Sequence, residues 1–139
     1  LLTPMVTTLK QLGSKRAWLV HGHDGIDEIS ISSPTTIFEL NDGKINSFEI
    51  KPSDAGLRTH ALSSILGGSP AENARHLTAL LNGEISAYRD AVLLNSAAAL
   101  LIAGLTKNLK EGVAIATRAI DSGTAKNTLE LLSESTKEI

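Results

Sequence analysis

The longest apolar run in the chain extends from Ala91 to Leu105, and three residues interrupt it: Asn95, Ser96 and Gly104. A helix that spans a membrane needs about 20 apolar residues, so this run is too short, and charged residues flank it on both sides. A helix that is apolar nearly all round has to be covered by other elements instead. We therefore expect this run to form the central helix of a folded core, and we expect no membrane partner.

The composition is that of one globular domain. Of the 139 residues, 42% are hydrophobic and 20% are charged, which is enough apolar material for a sizeable core. A formal net charge of -2 and only four aromatic residues argue against a basic or base-stacking nucleic-acid-binding domain. The absence of cysteine excludes disulfides and thiolate metal sites, and it is typical of a cytoplasmic protein.

The first 20 residues combine a helix with a buried strand. Thr3 and Pro4 form a favourable helix start, and Gly13 is a favourable stop. The run Ala17–Val20 is apolar throughout, which is typical of a strand buried on both faces of a parallel sheet. A helix followed by such a strand indicates an α/β fold, in which ligands bind beyond the carboxyl ends of the strands.

A hairpin and several helices are predicted further along the chain. Thr36–Leu40 and Ile45–Ile50 have the pattern of two strands, and turn residues Asn-Asp-Gly-Lys join them. After an irregular stretch, a capping box at Ser69 begins one helix and Asn108 begins another, while a last helix starts near Ala125. We expect a short, mostly parallel sheet, a β-hairpin and C-terminal helices within one domain, residues 1–139.

The segment His21–Ser30, directly after the predicted strand, is the densest set of titratable side chains. Asp27 and Glu28 are adjacent in it, and adjacent carboxylates repel one another unless water or a cation separates them. Carboxylate oxygens are the ligands that Mg²⁺ and Mn²⁺ prefer. The residues therefore predict a metal site at Asp27 and Glu28, with a solvated acidic pair as the alternative that they leave open.

Two histidines and a serine in the same segment give weaker signals. His21 and His23 could share a transition metal, but a histidine at a strand end more often bonds to the backbone. The set His21, Asp27 and Ser30 has the residue types of a hydrolase triad but lacks a nucleophile elbow. We expect neither arrangement to be functional.

Two further motifs have a structural interpretation that outweighs a functional one. Gly67-Gly68-Ser69 could receive a phosphate on free N–H groups, yet such residues more often only begin a helix. Asn95 and Ser96, inside the apolar run, are expected to be core polar groups with local hydrogen-bond partners.

Three segments follow one another in a specific order: VHGHDGIDEIS at residues 20–30, GGSPAENA at 67–74 and LLNSAAAL at 93–100. The hairpin sequence IFELNDGKINSFEI lies between the first two, and EGVAIATRAIDSGTA follows at residues 111–125. This combination resembles the C-terminal part of the anthranilate phosphoribosyltransferase family over nearly the whole chain.

The resemblance implies part of a nucleoside phosphorylase/phosphoribosyltransferase-type catalytic domain and a glycosyltransferase of tryptophan biosynthesis. Such an enzyme transfers phosphoribosyl from phosphoribosyl pyrophosphate to anthranilate, and Mg²⁺, or Mn²⁺ in its place, assists the departure of pyrophosphate. In the family the acidic pair holds one such ion, so this role falls on Asp27 and Glu28. Ile26 stands where Leu is more usual, a change that we do not expect to disturb the ligands.

The resemblance also implies that the family's phosphate-binding loop, anthranilate-contacting residues and dimer helices lie upstream of this sequence. We therefore expect a C-terminal fragment that is inactive alone, and that self-associates or pairs with the missing N-terminal portion. Two other hypotheses stay open: a related pyrimidine nucleoside phosphorylase-like enzyme, and a non-catalytic binding domain of the same fold.

Overall fold

The computed structural model describes residues 1–137, and the following elements occur in this part of the chain. Five α-helices and three β-strands follow one another in the order α1 Leu2–Gln11, β1 Arg16–Gly22, β2 Thr35–Asn41, β3 Lys44–Ile50, α2 Pro70–Leu81, α3 Ala87–Ile102, α4 Leu109–Asp121 and α5 Thr124–Ser135. Two short 3₁₀ helices, Pro52–Ala55 and Leu62–Ser64, lie in the stretch expected to be irregular.

The predicted hairpin is confirmed. Strands β2 and β3 pair antiparallel, with Asn41 opposite Lys44, so that only two residues form the loop. Both loop residues have positive φ, 46° at Asp42 and 82° at Gly43, as a type I′ turn requires. Glycine at the second position adopts this φ without a steric penalty.

The α/β class is confirmed, but the parallel pairing expected for the first strand is wrong in the part of the chain described. The sheet order is β1-β2-β3, and β1 pairs antiparallel with β2, Leu19 lying opposite Phe38. A parallel neighbour would need a crossover element before β2. The segment between Gly22 and Thr35 is an irregular loop, so the chain turns back directly.

Burial of the first strand on both faces is nevertheless real, because a helix covers each side. Leu19 lies in a cluster with Val6 of α1 and Leu40 of β2. On the other face, Trp18 and Val20 pack against the main core cluster, to which α3 contributes. The three-stranded sheet is therefore a middle layer between α1 and α3. An apolar run predicts that both faces of a strand are covered, but it does not predict the direction of the neighbouring strand.

Helix α3 is the central helix that its composition predicts. Five of its seven buried residues belong to two core clusters, one against the sheet and one against α2 and α4. Helix α4 comes close enough that a Cβ atom on Gly112 would lie 2.7 Å from the Cα of Ala97, so glycine is required there. Among residues 1–137, none of the helices combines the length and the apolar character needed to cross a bilayer.

Capping residues begin the helices where the sequence places them. The Ser69 Oγ accepts from the Glu72 N–H, and the Glu72 carboxylate accepts from the Ser69 N–H at the start of α2, which completes the capping box. Asn108 accepts from the Glu111 N–H at the start of α4. These contacts satisfy N–H groups that a helix leaves without a partner in its first turn.

Candidate metal centre

The loop that follows β1, residues 22–34, is folded on itself by its own backbone. The Gly22 N–H donates to the Ile26 carbonyl at 3.0 Å, and the Gly25 N–H donates to the Gly22 carbonyl at 2.9 Å. Gly25 has a φ of +93°, and a Cβ on Gly22 would lie 2.5 Å from Asp24 Oδ1. Two glycines therefore allow a turn that brings the carboxyl end of β1 close to the acidic residues after it.

Asp24 organises the second half of this loop. Its Oδ2 accepts hydrogen bonds from the hydroxyls of Ser30, at 2.6 Å, and Ser32. The Ser30 Oγ in turn accepts from the backbone N–H groups of Ser32 and Ser33. Desolvation acts to raise the pKa of Asp24, but the serine hydroxyls and backbone N–H groups outweigh it and hold that pKa below its ordinary value. Asp24 is thus an ionised hub of this loop, and its buried Oδ1 has no hydrogen-bond partner among the described residues.

Asp27 and Glu28, the predicted metal ligands, lie between these two sets of contacts, and both are exposed to solvent. Within residues 1–137 neither carboxylate takes part in an ion pair, and no group of three or more metal-ligating side chains is present. The donors are of the type that Mg²⁺ prefers and are not engaged elsewhere, so they fit that ion. Two protein ligands leave most of its shell to water or to phosphate oxygens.

Asn95 of α3 holds the residue that follows the acidic pair. Its Oδ1 accepts from the Ile29 N–H, and its Nδ2 donates to the Ile29 carbonyl, both at 3.0 Å. A third bond from Nδ2 to the Ala91 carbonyl is the only local one. The expectation of purely local partners for Asn95 is therefore wrong, because the amide bridges 66 positions along the chain to reach the loop.

A cavity of about 530 Å³ opens beside the acidic pair. Its polar lining comes from Glu28, Tyr88, Asn95 and Ser96, and Ile65, Ala91 and Val92 supply the apolar part. A ligand in this cavity would have one of the two candidate metal ligands at its wall.

The other candidates from the sequence do not assemble into sites within the described residues. The Nε2 of His23 lies 3.0 Å from Thr36 Oγ1 and 3.1 Å from Glu49 Oε1, and His21 is exposed and makes no shared cluster with it. The Ser30 hydroxyl donates to Asp24, so it is not paired with a histidine base.

Two of the N–H groups at the glycine-rich helix start that a phosphate could use are already engaged. The Gly68 N–H donates to Asn73 Oδ1, and the Ser69 N–H donates to Glu72 Oε2, both at 2.8 Å. Side chains of α2 itself therefore occupy these donors, as the structural interpretation of this motif predicts.

Two ion pairs that involve helix α3 were not predicted from the sequence. The guanidinium of Arg89, which is only 3% exposed, lies 2.6 Å from Asp121 and joins α3 to α4. His60 lies 2.7 Å from Asp90 and ties the irregular stretch to α3. The neighbouring Tyr-Arg-Asp sequence at the start of the apolar run is the one local signal that could have pointed to them.

The family model described as the glycosyl transferase family, a/b domain, matches residues 1–126 of this chain. The chain belongs to this glycosyl transferase family. Its antiparallel sheet, central α3 and acidic loop are therefore part of that family's α/β domain.

Two curated relatives of this chain within the glycosyl transferase family have the same name. Anthranilate phosphoribosyltransferase from Parvibaculum lavamentivorans is 49% identical over 129 residues, which cover 93% of this chain and 38% of the relative. The enzyme of that name from Methylocella silvestris is 50% identical over 133 residues, with 96% and 38% covered. The chain spans less than half of the length of these relatives.

Two solved structures have the same fold as this chain. Anthranilate phosphoribosyltransferase from Saccharomyces cerevisiae, in complex with PRPP and Mg, superposes with a TM-score of 0.90 at 28% identity, covering 99% of this chain and 40% of that one. The enzyme of that name from Thermus thermophilus has a TM-score of 0.83 at 37% identity, with 93% and 38% covered.

The ionised Asp24 hub predicts an acid-dependent stability for this member of the glycosyl transferase family. Folding lowers the pKa of Asp24, so the ionised carboxylate stabilises the folded chain fully when the pH is above the ordinary pKa of 3.8. This stabilisation is lost as the pH falls below 3.8. We expect Asp24→Asn to lower the free energy of unfolding by about 2 kcal/mol at neutral pH, since bonds to a charged acceptor are lost. The difference in the free energy of unfolding between the parent chain and this variant should become smaller towards about pH 3, as measured by denaturant unfolding.

Asp42→Asn is the matched control, because Asp42 lies in the hairpin turn, where asparagine also accepts a positive φ. Its effect on the free energy of unfolding should be small. If the difference in the free energy of unfolding between the parent chain and Asp24→Asn stays constant over the same pH range, the assignment of Asp24 as an ionised hub is wrong.

Proposed function

We propose that this chain is part of an anthranilate phosphoribosyltransferase, which transfers phosphoribosyl from phosphoribosyl pyrophosphate to anthranilate in tryptophan biosynthesis. The observation that carries the proposal is the exposed Asp27–Glu28 pair, held at the carboxyl end of β1. The domain around it has the fold of a yeast relative that binds PRPP and Mg. The names of the curated relatives support the substrates.

The chemistry of this transfer explains why an acidic loop is useful. A highly anionic pyrophosphate must leave a ribose carbon that gains positive charge, and Mg²⁺ neutralises the charge that develops on the leaving group. Asp27 and Glu28 would hold that ion. The backbone turn at Gly22, the Asp24 hub and the Asn95 amide hold the backbone that carries the two carboxylates, and such a reaction needs positioning of this kind.

The remaining substrate contacts are assigned to the other part of the protein. Since the chain spans about 40% of its relatives, we infer that groups binding the ribose phosphate and anthranilate lie outside it. We also infer that the protein works in the cytoplasm; the lack of cysteine in all 139 residues is compatible with a reducing compartment.

Strand β1 is the surface through which we propose that this chain pairs with the rest of the protein or with a second copy. Only β2 lies beside it in the described sheet, so one edge of β1 has no strand partner there. The opposite edge strand, β3, is mostly exposed and carries Lys44 and Glu49, which discourage pairing. β1 carries Trp18, Leu19 and Val20 instead, and an apolar edge favours pairing.

The metal proposal predicts weak binding of Mn²⁺ or Mg²⁺ to the 139-residue chain, because two carboxylates supply only part of the shell. In an NMR titration with Mn²⁺, resonances of residues 21–30 should broaden before all others. Asp27→Asn combined with Glu28→Gln, which preserves shape and removes charge, should abolish this selective broadening.

The control for the metal titration is Asp42→Asn combined with Glu130→Gln, which removes two exposed carboxylates on other elements. It should leave the broadening of the loop unchanged. If the loop broadens equally without Asp27 and Glu28, the metal site lies elsewhere.

The transferase proposal predicts activity once the rest of the enzyme is supplied. We expect no transfer by the isolated chain, and transfer by a chimera in which residues 1–126 replace the matching segment of the Parvibaculum lavamentivorans enzyme. Asp27→Asn with Glu28→Gln in the chimera should lower kcat/KM at least about a hundredfold, because metal assistance contributes several kcal/mol.

Asp42→Asn in the same chimera should retain its activity, which excludes a general effect of lost surface charge. Anthranilate turnover by the isolated chain would refute the inference that the other substrate-binding groups lie outside it. Full activity of the chimera without the acidic pair would refute the role proposed for Asp27 and Glu28.

The pairing proposal predicts self-association of the isolated chain. Light scattering should give a mass that rises with concentration, and His21→Lys, an exposed change on β1, should reduce it. Ser47→Lys on β3 is the matched control and should have no effect. A monomer at every concentration, with Trp18 protected from a fluorescence quencher, would rule out an open β1 edge.

A further inference from the structure

We propose that Asn95 is a positioning residue for the Glu28 carboxylate, a role that rests on the proposed metal site. The Asn95 side-chain amide pairs with the backbone of Ile29 through an acceptor and a donor, in the way that a neighbouring strand would. Ile29 is the residue immediately after Glu28. The contact therefore acts on the backbone that aims the carboxylate and not on the carboxylate itself.

The geometry of the peptide bond explains how this works. The Ile29 N–H lies in the planar peptide group that joins Glu28 to Ile29, so a bond to it fixes the orientation of that plane. The bond to the Ile29 carbonyl fixes the next plane. On the other side of the pair, the Ile26 carbonyl lies in the plane that joins Ile26 to Asp27, and the Gly22 N–H holds it at 3.0 Å. The planes before and after the acidic pair are therefore both held.

Helix α3 gives Asn95 a rigid base. Its neighbours Leu94, Ala97 and Ala98 are all buried, and the extra bond from Nδ2 to the Ala91 carbonyl orients the amide. Both donors and the acceptor of Asn95 are thus committed to backbone groups. Aspartate has the same size but no N–H, so it would accept from Ile29 and repel the Ile29 carbonyl.

The charges around the site make this positioning necessary. Asp27 and Glu28 repel one another, and among residues 1–137 no cationic side chain forms an ion pair with either. No cation therefore offsets this repulsion in the described residues, and hydrogen bonds to the backbone hold the segment on both sides of the pair. Groups that orient metal ligands from behind commonly alter metal affinity by about 10- to 100-fold when they are removed.

The test is the Mn²⁺ affinity of the 139-residue chain and its variants. Asn95→Ala should weaken binding about tenfold. Asn95→Asp should also weaken it, although it adds negative charge to the cavity that Glu28 lines. Ser96→Ala is the matched control, because Ser96 is next to Asn95 on α3 and lines the same cavity. It should leave the Mn²⁺ affinity unchanged. Trp18 fluorescence and amide chemical shifts of the hairpin should stay unchanged in all variants.

The unmodified chain provides a second measurement that does not depend on how the variants fold. Binding and positioning are reciprocal, so saturating Mg²⁺ should slow hydrogen exchange of the Ile29 amide. Exchange of the Leu19 amide, within the sheet, should be unaffected.

The outcomes separate this proposal from the one on which it rests. If Asp27→Asn with Glu28→Gln abolishes Mn²⁺ binding while Asn95→Ala and Asn95→Asp do not weaken it, Asn95 is only structural and this inference is wrong. Tighter binding by Asn95→Asp, or unchanged Ile29 exchange with Mg²⁺, would also overturn it. If the double variant still binds, the metal site itself is wrong.

Discussion

The burial of α3 is the constraint on which the rest of the fold depends. Its sequence offers almost no polar face, so every side has to be covered, by the sheet on one side and by α2 and α4 on the other. The close approach of Gly112 to Ala97 shows how tightly α4 fits. Asn95, a polar residue within this helix, can be kept there only if its amide finds partners, and the acidic loop supplies them.

Local features could be predicted from the sequence because their causes are local. Asp42 and Gly43 form a two-residue turn whatever surrounds them, and Ser69 with Glu72 forms a capping box from residues three apart. The direction of strand pairing could not be predicted in the same way, because the apolar run Ala17–Val20 indicates only that both faces of the strand are covered. The absence of a helical pattern between His21 and Thr36 is the signal that favours an antiparallel return.

The acidic pair of the candidate site can be picked out from the sequence, whereas the groups that support its backbone cannot. Asp27 and Glu28 stand out as neighbouring acids after a buried strand, whereas Asn95 is 66 positions from its partner and its pairing exists only in the folded chain. Asp24 carries the same charge as the pair, yet Ser30 and Ser32 occupy its Oδ2. Residue type and spacing do not distinguish a carboxylate that holds a loop from one that is left for a ligand.

The way in which the loop is held bears on the metal proposal. A lysine or arginine beside Asp27 and Glu28 would relieve their repulsion, but it would also compete with a cation for the same charge. The ion pairs of the described residues lie at other positions, and the loop is fixed by an amide, hydroxyls and backbone groups. These supports hold the backbone on both sides of the two acids without bringing a positive charge to them. The repulsion between the two acids destabilises such a loop in the absence of a cation, and under the metal proposal a bound Mg²⁺ would relieve it.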